Sequence, residues 1–316
     1  MGADETAFRF NFTFGEDDGG PSVGNGDPPI KDARSPKRPR PATGTETAQE
    51  LRIPEPRGSH PTTSDRHDRF APQDVGGSVR LWKVVELMQQ STLVQGLDEE
   101  TDLVPGRYEG GFKVWECSVD LCEHLVEAYG LKPAGDGACD GACLKGRLEG
   151  SRVLELGCGQ GLPGVLCLLG GAEQVVFQDF NGEVLRYVTQ PCVQRNLGGR
   201  DPDGTMGSVR YISGDWDGCG DLLERESFDL ILTAETIYEP KSVPSLLDLL
   251  AWCLKPGTGV ALVAAKVYYF GVGGGVAPFE EEVRRQGLFH IEHVRSVDDG
   301  ASNMREVLLL RRKPEG

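Results

Sequence analysis

From residue 151 onward two textures of apolar residues alternate. SRVLELG (151–157), AEQVVFQDF (172–180), VRYISGDW (209–216), FDLILTAETIY (228–238) and TGVALVAAKVYYF (258–270) are short runs dense in aliphatic and β-branched residues, and each predicts a strand. Between them lie stretches of helical spacing: LPGVLCLLGG (162–171), closed by Gly170 and Gly171, GEVLRYVTQPCVQRNL (182–197), SVPSLLDLLAWCL (242–254) and APFEEEVRRQG (277–287). Pro191 is expected to break or kink the second of these helices. LFHIEHVRSV (288–297) and MREVLLLRR (304–312) predict a closing pair of strands. Such alternation, with strands apolar on both faces, implies a mostly parallel sheet covered by helices on each side.

Upstream the pattern is weaker. VRLWKVVELMQQ (79–90) places Leu81, Val84, Val85 and Met88 at helical spacing and predicts a helix. FKVWECSVDLCEHLVEAYGL (112–131) predicts an extended start and then a helix with Leu121, Leu125 and Ala128 on one face. GDGACDGACLKGRLEG (135–150) reads as a glycine-rich linker. Residues 1–75 are rich in Pro, Gly, Ser, Thr and charge, with few apolar residues after FRFNFTF, and are expected to be disordered. The folded domain is expected over 76–316. Within the tail, the basic cluster KDARSPKRPRP (31–41) resembles a nuclear-import signal.

Composition adds bounds. The hydrophobic fraction of 38% is low, in keeping with a tail that forms no core. No apolar run approaches the ~20 residues needed to span a bilayer, and the N-terminus does not read as a secretory signal. The nine cysteines have irregular spacings and no CxxC pair, which predicts reduced thiols and no metal centre. The net charge of −16 disfavours non-specific nucleic-acid binding and suits a basic protein partner.

The chemistry concentrates in VLELGCGQGLPG (153–164), where a strand ends in a glycine turn and a helix begins. Asp179 closes the next strand, where a carboxylate can accept both ribose hydroxyls of an adenosine. This pair fits a nicotinamide dinucleotide as well as other adenosine cofactors. With QDF and strands ending in GDW and LTAET, however, ELGCGQG resembles the seven-stranded S-adenosylmethionine-dependent methyltransferases. More narrowly, YEGGFKVWECSVDL (108–121), FQDFN (177–181), SGDW (213–216), LTAETIY (232–238) and AKVYYFGVGGG (265–275) are similar to the protein-histidine methyltransferases, over roughly residues 79–316. Lysine-directed relatives share the W-E and acid-x-x-Tyr features. The Asn/Asp-Pro-Pro-aromatic signature of nucleobase amino methyltransferases is absent.

The resemblance implies a seven-stranded α/β domain that holds S-adenosylmethionine. Val114, Trp115, Glu116, Cys117 and Ser118 would cover the methionine end, and Gly157 would line the first turn. Gln178, Asp179 and Phe180 would hold the ribose and flank the adenine, with Gly214, Asp215 and Trp216 at the adenine edge. Ala234 would approach the cofactor where the family carries a serine. A neutral imidazole already bears a nucleophilic lone pair near pH 7, so it needs orientation rather than a strong base. Glu235 and Tyr238, at the carboxyl end of a central strand, are the candidates to orient it. The run Tyr268–Gly275 is expected to form a substrate-facing lip rather than a phosphate cradle, with Lys266 and Tyr268 near its base. By resemblance the substrate would be a basic large-subunit ribosomal protein, methylated by a monomeric enzyme in the cytoplasm and nucleus, including the nucleolus.

Overall fold

In the computed structural model the described residues are 36, 47–52, 69–85, 103–104, 107–133, 139–140, 144–198, 207–300 and 302–314. FRFNFTF, nearly all of the basic cluster and Cys143 lie outside them.

The described strands and helices are, in chain order, β1 (Gln49–Glu50), β2 (Phe70–Asp74), β3 (Val79–Val84), α1 (Glu116–Tyr129), β4 (Arg152–Leu156), α2 (Leu162–Leu169) and β5 (Gln174–Asp179). A helical run α3 over residues 182–197 follows, then β6 (Ser208–Ser213), the single turn α4 (Trp216–Cys219), β7 (Leu230–Ala234), α5 (Val243–Cys253), β8 (Val260–Lys266), α6 (Val276–Gln286), β9 (Phe289–Val297) and β10 (Arg305–Arg312). Three two-residue strands, Lys132–Pro133, Cys139–Asp140 and Leu144–Lys145, fall between α1 and β4.

The main sheet runs β1-β6-β5-β4-β7-β8-β10-β9. The five strands from β6 to β8 are parallel, and β10 and β9 close the sheet antiparallel. All seven strands expected from the pattern are present. Alternate residues explain why each is apolar: Val153 packs into the core under α1, α2 and α3, while Leu154 and Leu156 pack into the opposite core under α5 and α6. Strand order reverses between β4 and β7, so the crevice at their carboxyl ends is the switch point where such sheets bind ligands.

Two expectations are corrected and a third is resolved. First, the N-terminal segment is not wholly outside the fold. β1 adds an eighth, antiparallel strand beside β6, and Arg210 grips Glu50 through both carboxylate oxygens at 2.8 and 3.1 Å. Second, VRLWKV is a strand paired with β2, not a helix. Period-two burial of Val79 and Leu81, β-branched residues and the Gly76–Gly77 turn outweigh the helical spacing. The strand's other edge pairs with Cys139–Asp140 only at Val79 and Arg80, and beyond that two carboxamides take the place of a neighbour strand. Asn196 accepts from Trp82 N–H at 2.7 Å and donates to its carbonyl at 2.8 Å; Gln160 does the same for Val84 at 2.8 Å each. Third, of the two outcomes expected at Pro191, α3 is distorted and not broken. The helix widens to a π turn over Leu185–Thr189, and the Tyr187 carbonyl, which a residue-191 N–H would meet in α register, accepts from Arg69 at 2.7 Å.

The Asn196 clamp supplies the first prediction. Asn196→Ala leaves the Trp82 N–H and C=O without their partner and is expected to cost about 2 kcal/mol. Urea denaturation would read this as a lower midpoint at unchanged slope.

Candidate active site

A cavity of about 400 Å³ opens at the carboxyl ends of β4, β5 and β7. Its floor is the glycine turn after β4. Gly159 sits there at φ 50°, a left-handed conformation that favours glycine, and a Cβ would press on the Gly111 carbonyl of the segment crossing above at 3.1 Å. The Gly159 N–H donates to Asp179 Oδ2 at 2.9 Å, and Asn181 N–H donates to Oδ1 at 3.0 Å. Each carboxylate oxygen keeps further lone-pair capacity for a ribose hydroxyl. Burial pushes the Asp179 carboxyl up to about 6 against these two donors. Glu155, also on the cavity wall, is pushed up to about 8 by burial and accepts the Gly164 N–H at 2.7 Å.

Of the residues expected from sequence, Val114, Trp115, Ser118, Gly157, Asp179, Phe180, Gly214, Asp215, Trp216, Ala234, Glu235 and Tyr238 line this cavity. Three do not. Gln178 is wholly buried behind the wall: its amide accepts from Trp216 Nε1 at 2.9 Å and Gly157 N–H at 3.3 Å and donates to the Gly214 carbonyl at 2.8 Å. It fixes the turn and the indole rather than lining the cavity. Cys117 is buried in the core, where burial and the Glu235 carboxylate raise its thiol, and its backbone N–H donates to Glu235. Glu116 is turned to the Lys266 ammonium at 3.2 Å. A buried cation needs a counter-charge more than the cavity needs that carboxylate.

The largest correction concerns Glu235. β7 ends one residue earlier because Glu235 adopts φ 60°, a left-handed conformation rare for a side-chain-bearing residue. This turns its carboxylate into the protein. Oε2 accepts from Tyr269 at 2.6 Å, Oε1 accepts from Cys117 N–H at 3.4 Å, and Lys266 Nζ stands 3.9 Å away. Glu235 therefore ties the start of α1 to β8 and to the loop after it. Tyr238 stays at the opening, where its hydroxyl donates to Glu109. Glu109, Gly111, Lys113, Gln160 and Thr236 were not foreseen as cavity residues. Only the E-G-G sequence before the tryptophan motif hinted at the first two.

The glycine run is not a cradle. Residues 268–275 form a tight turn in which Tyr269 N–H donates to the Gly274 carbonyl at 3.1 Å and Gly275 N–H to the Ile237 carbonyl at 3.0 Å. A Cβ on Gly274 would lie 2.1 Å from the Tyr238 carbonyl, so glycine lets the two backbones touch. The loop flanks the cavity without lining it; Phe270 is 72% exposed and Lys266 is buried. Gly274→Ala is expected to displace Tyr238 and raise KM for a protein substrate about tenfold, a contact loss near 1.4 kcal/mol. Calorimetry should find cofactor affinity changed far less.

The cavity fits S-adenosylmethionine. Asp179 matches the ribose diol, Phe180 and Trp216 offer aromatic faces, and the Gly157–Gly161 turn lets backbone approach closely. Among the described residues no cluster of His, Cys, Asp or Glu suits a metal ion, and no helix is long and apolar enough to cross a membrane.

Comparison with known proteins agrees with this geometry. The profile of the family described as lysine methyltransferase matches residues 105–269. The histidine protein methyltransferase 1 homolog of Dictyostelium discoideum is 43% identical over 215 residues, covering 68% of this chain and 62% of that protein. The Schizosaccharomyces pombe histidine protein methyltransferase 1 is 33% identical over 251 residues, covering 65% of this chain and 68% of its own length. The protein N-lysine methyltransferase METTL21A of Danio rerio is 30% identical over 156 residues, covering 49% of this chain and 61% of that one. The match thus spans just over three fifths of the Dictyostelium relative. With more than half of its length matched by the profile, the chain belongs to this family of S-adenosylmethionine-dependent protein methyltransferases, alongside the histidine protein methyltransferases it resembles.

Proposed function

We propose that this protein methylates the remote imidazole nitrogen of a histidine in a protein. The 43% identity to the Dictyostelium histidine protein methyltransferase carries the reading. S-adenosylmethionine, when bound, supplies an activated methyl group on a sulfonium. Asp179, the Gly157–Gly161 turn, Phe180 and Trp216 would bind it, Gln178 would hold the turn and the indole in place, and Val114 to Ser118 would cover its methionine end. The protein's own contribution is proximity, orientation and exclusion of water, the main sources of rate for an in-line displacement.

The substrate we infer is a basic large-subunit ribosomal protein, drawn to a chain of net charge −16, with a role in ribosome assembly or translation. The enzyme would act as a monomer in the cytoplasm and nucleus, including the nucleolus. The cluster KRPRP supports nuclear entry. A second reading has lysine as acceptor and is favoured by the description of the matching profile.

Labelled S-adenosylmethionine, the protein and ribosomal proteins from cells lacking it separate the two. Acid hydrolysis should yield label in remote-nitrogen methylhistidine, lost with Asp179→Ala. Label in methyl-lysine would establish the second reading instead.

A further inference from the structure

We propose that Glu109, held by Tyr238, is the catalytic residue that receives the acceptor imidazole. The inference rests on the histidine reading above. An imidazole presents a bare nitrogen to the methyl carbon only if its other nitrogen carries the hydrogen, and a buried N–H needs an acceptor. Four of the cavity's acids already hold protein groups. Glu155 holds Gly164, Asp179 holds the glycine turn, Asp215 caps α4, and Glu235 faces Tyr269 in the core. Asp217 and Glu239 also line the wall, but Glu109 accepts the Tyr238 hydroxyl at the mouth of β7, with its backbone fixed by Asn181.

Its position is rigid from both sides. Glu109 N–H donates to Asn181 Oδ1 at 3.1 Å, and Asn181 Nδ2 donates to the Arg107 carbonyl at 2.8 Å. The Tyr238 ring meets Tyr269 edge-on at 6.4 Å, and its backbone is pinned against Gly274. A carboxylate oxygen that accepts the tyrosine hydroxyl has lone pairs enough to accept an imidazole N–H too.

The electron count assigns the carboxylate a second task. The bare imidazole nitrogen gives its lone pair to the methyl carbon, the carbon–sulfur bond breaks, and its electrons stay on sulfur as a neutral thioether. The positive charge passes to the imidazole ring. Glu109 stabilises that developing cation, and the N–H proton then leaves to solvent. For an amine acceptor the same carboxylate would favour the unreactive ammonium. Glu109 thus favours histidine over lysine.

The test uses the full chain with ribosomal proteins from cells lacking it. Glu109→Gln should lower the turnover rate on the order of 10²-fold, with calorimetric affinity for S-adenosylmethionine kept within a factor of about three. The pH profile separates chemistry from architecture. A neighbouring carboxylate raises the pKa of the bound imidazole, so activity fails as pH falls through that raised value. Glu109→Gln should move this acid limb to lower pH, and Tyr238→Phe should lower turnover less and leave the limb in place. Unimpaired turnover, an unmoved acid limb, or cofactor affinity lost in parallel with turnover would each overturn the assignment. Label in methyl-lysine with the unaltered protein would overturn the histidine reading itself, an outcome visible before any variant is made.

Discussion

Asp179→Ala is expected to weaken S-adenosylmethionine binding on the order of 10³-fold. The ribose hydroxyls would lose two charge-assisted hydrogen bonds, each worth about 1.5–3 kcal/mol, and 1.4 kcal/mol is tenfold in affinity. The Gly159 and Asn181 N–H groups would also lose their acceptor, so the glycine turn loses its anchor together with the ligand's. Asp179→Asn keeps one acceptor oxygen but presents an amide where a backbone N–H points, and should recover only part of the loss. The carboxyl also predicts a pH dependence. Burial holds it up at about 6. Only the ionised form accepts both hydroxyls, so affinity should be full above that value and fall as pH drops through it. Calorimetric titration across pH 5 to 8 reads both effects. A flat profile, or an Asp179→Ala variant that binds normally, would place the ribose elsewhere.

How far the sequence spoke for the fold depended on where each residue's partners lie. Strands β4 to β8 were plain because burial on both faces writes an uninterrupted apolar run into the chain. Asp179 was plain because its role depends only on its place at a strand end. VRLWKV was misread because its strand character comes from Asn196, 114 residues away from Trp82, and from Gln160, 76 from Val84. No local periodicity encodes a carboxamide that stands in for a strand. Glu50 failed to announce β1 for the same reason, since its partner Arg210 is 160 residues distant. The inward turn of Glu235 was not legible because a single backbone angle decides it. A left-handed residue after β7 sends this carboxylate into the core, and the crossing segment brings that of Glu109 to the mouth. Proximity to a strand end ranks residues as candidates; it does not say which way a side chain turns.

The buried contacts of Glu235 give it a large share in stability, and Glu235→Ala is expected to cost about 3–5 kcal/mol. The substitution would leave the Tyr269 hydroxyl without its acceptor in a fully enclosed site, remove the partner of Cys117 N–H, and take one of two carboxylates from Lys266. Against a total stability of about 5–15 kcal/mol, such a loss should lower the urea midpoint by a large fraction. Glu235→Gln keeps an acceptor for Tyr269 and should cost less. Tyr269→Phe removes the hydroxyl and its acceptor's load together, so Glu235→Ala added to Tyr269→Phe should cost less than the two single changes summed. Turnover at a temperature where Glu235→Gln remains folded should stay within a factor of about ten of the unaltered protein, because that carboxylate is engaged by Tyr269 and Lys266. A Glu235→Gln variant that unfolds at the normal urea concentration yet loses turnover by on the order of 10³-fold would show the opposite: the carboxylate would then be reaching the substrate, and the left-handed turn after β7 would have to open during catalysis.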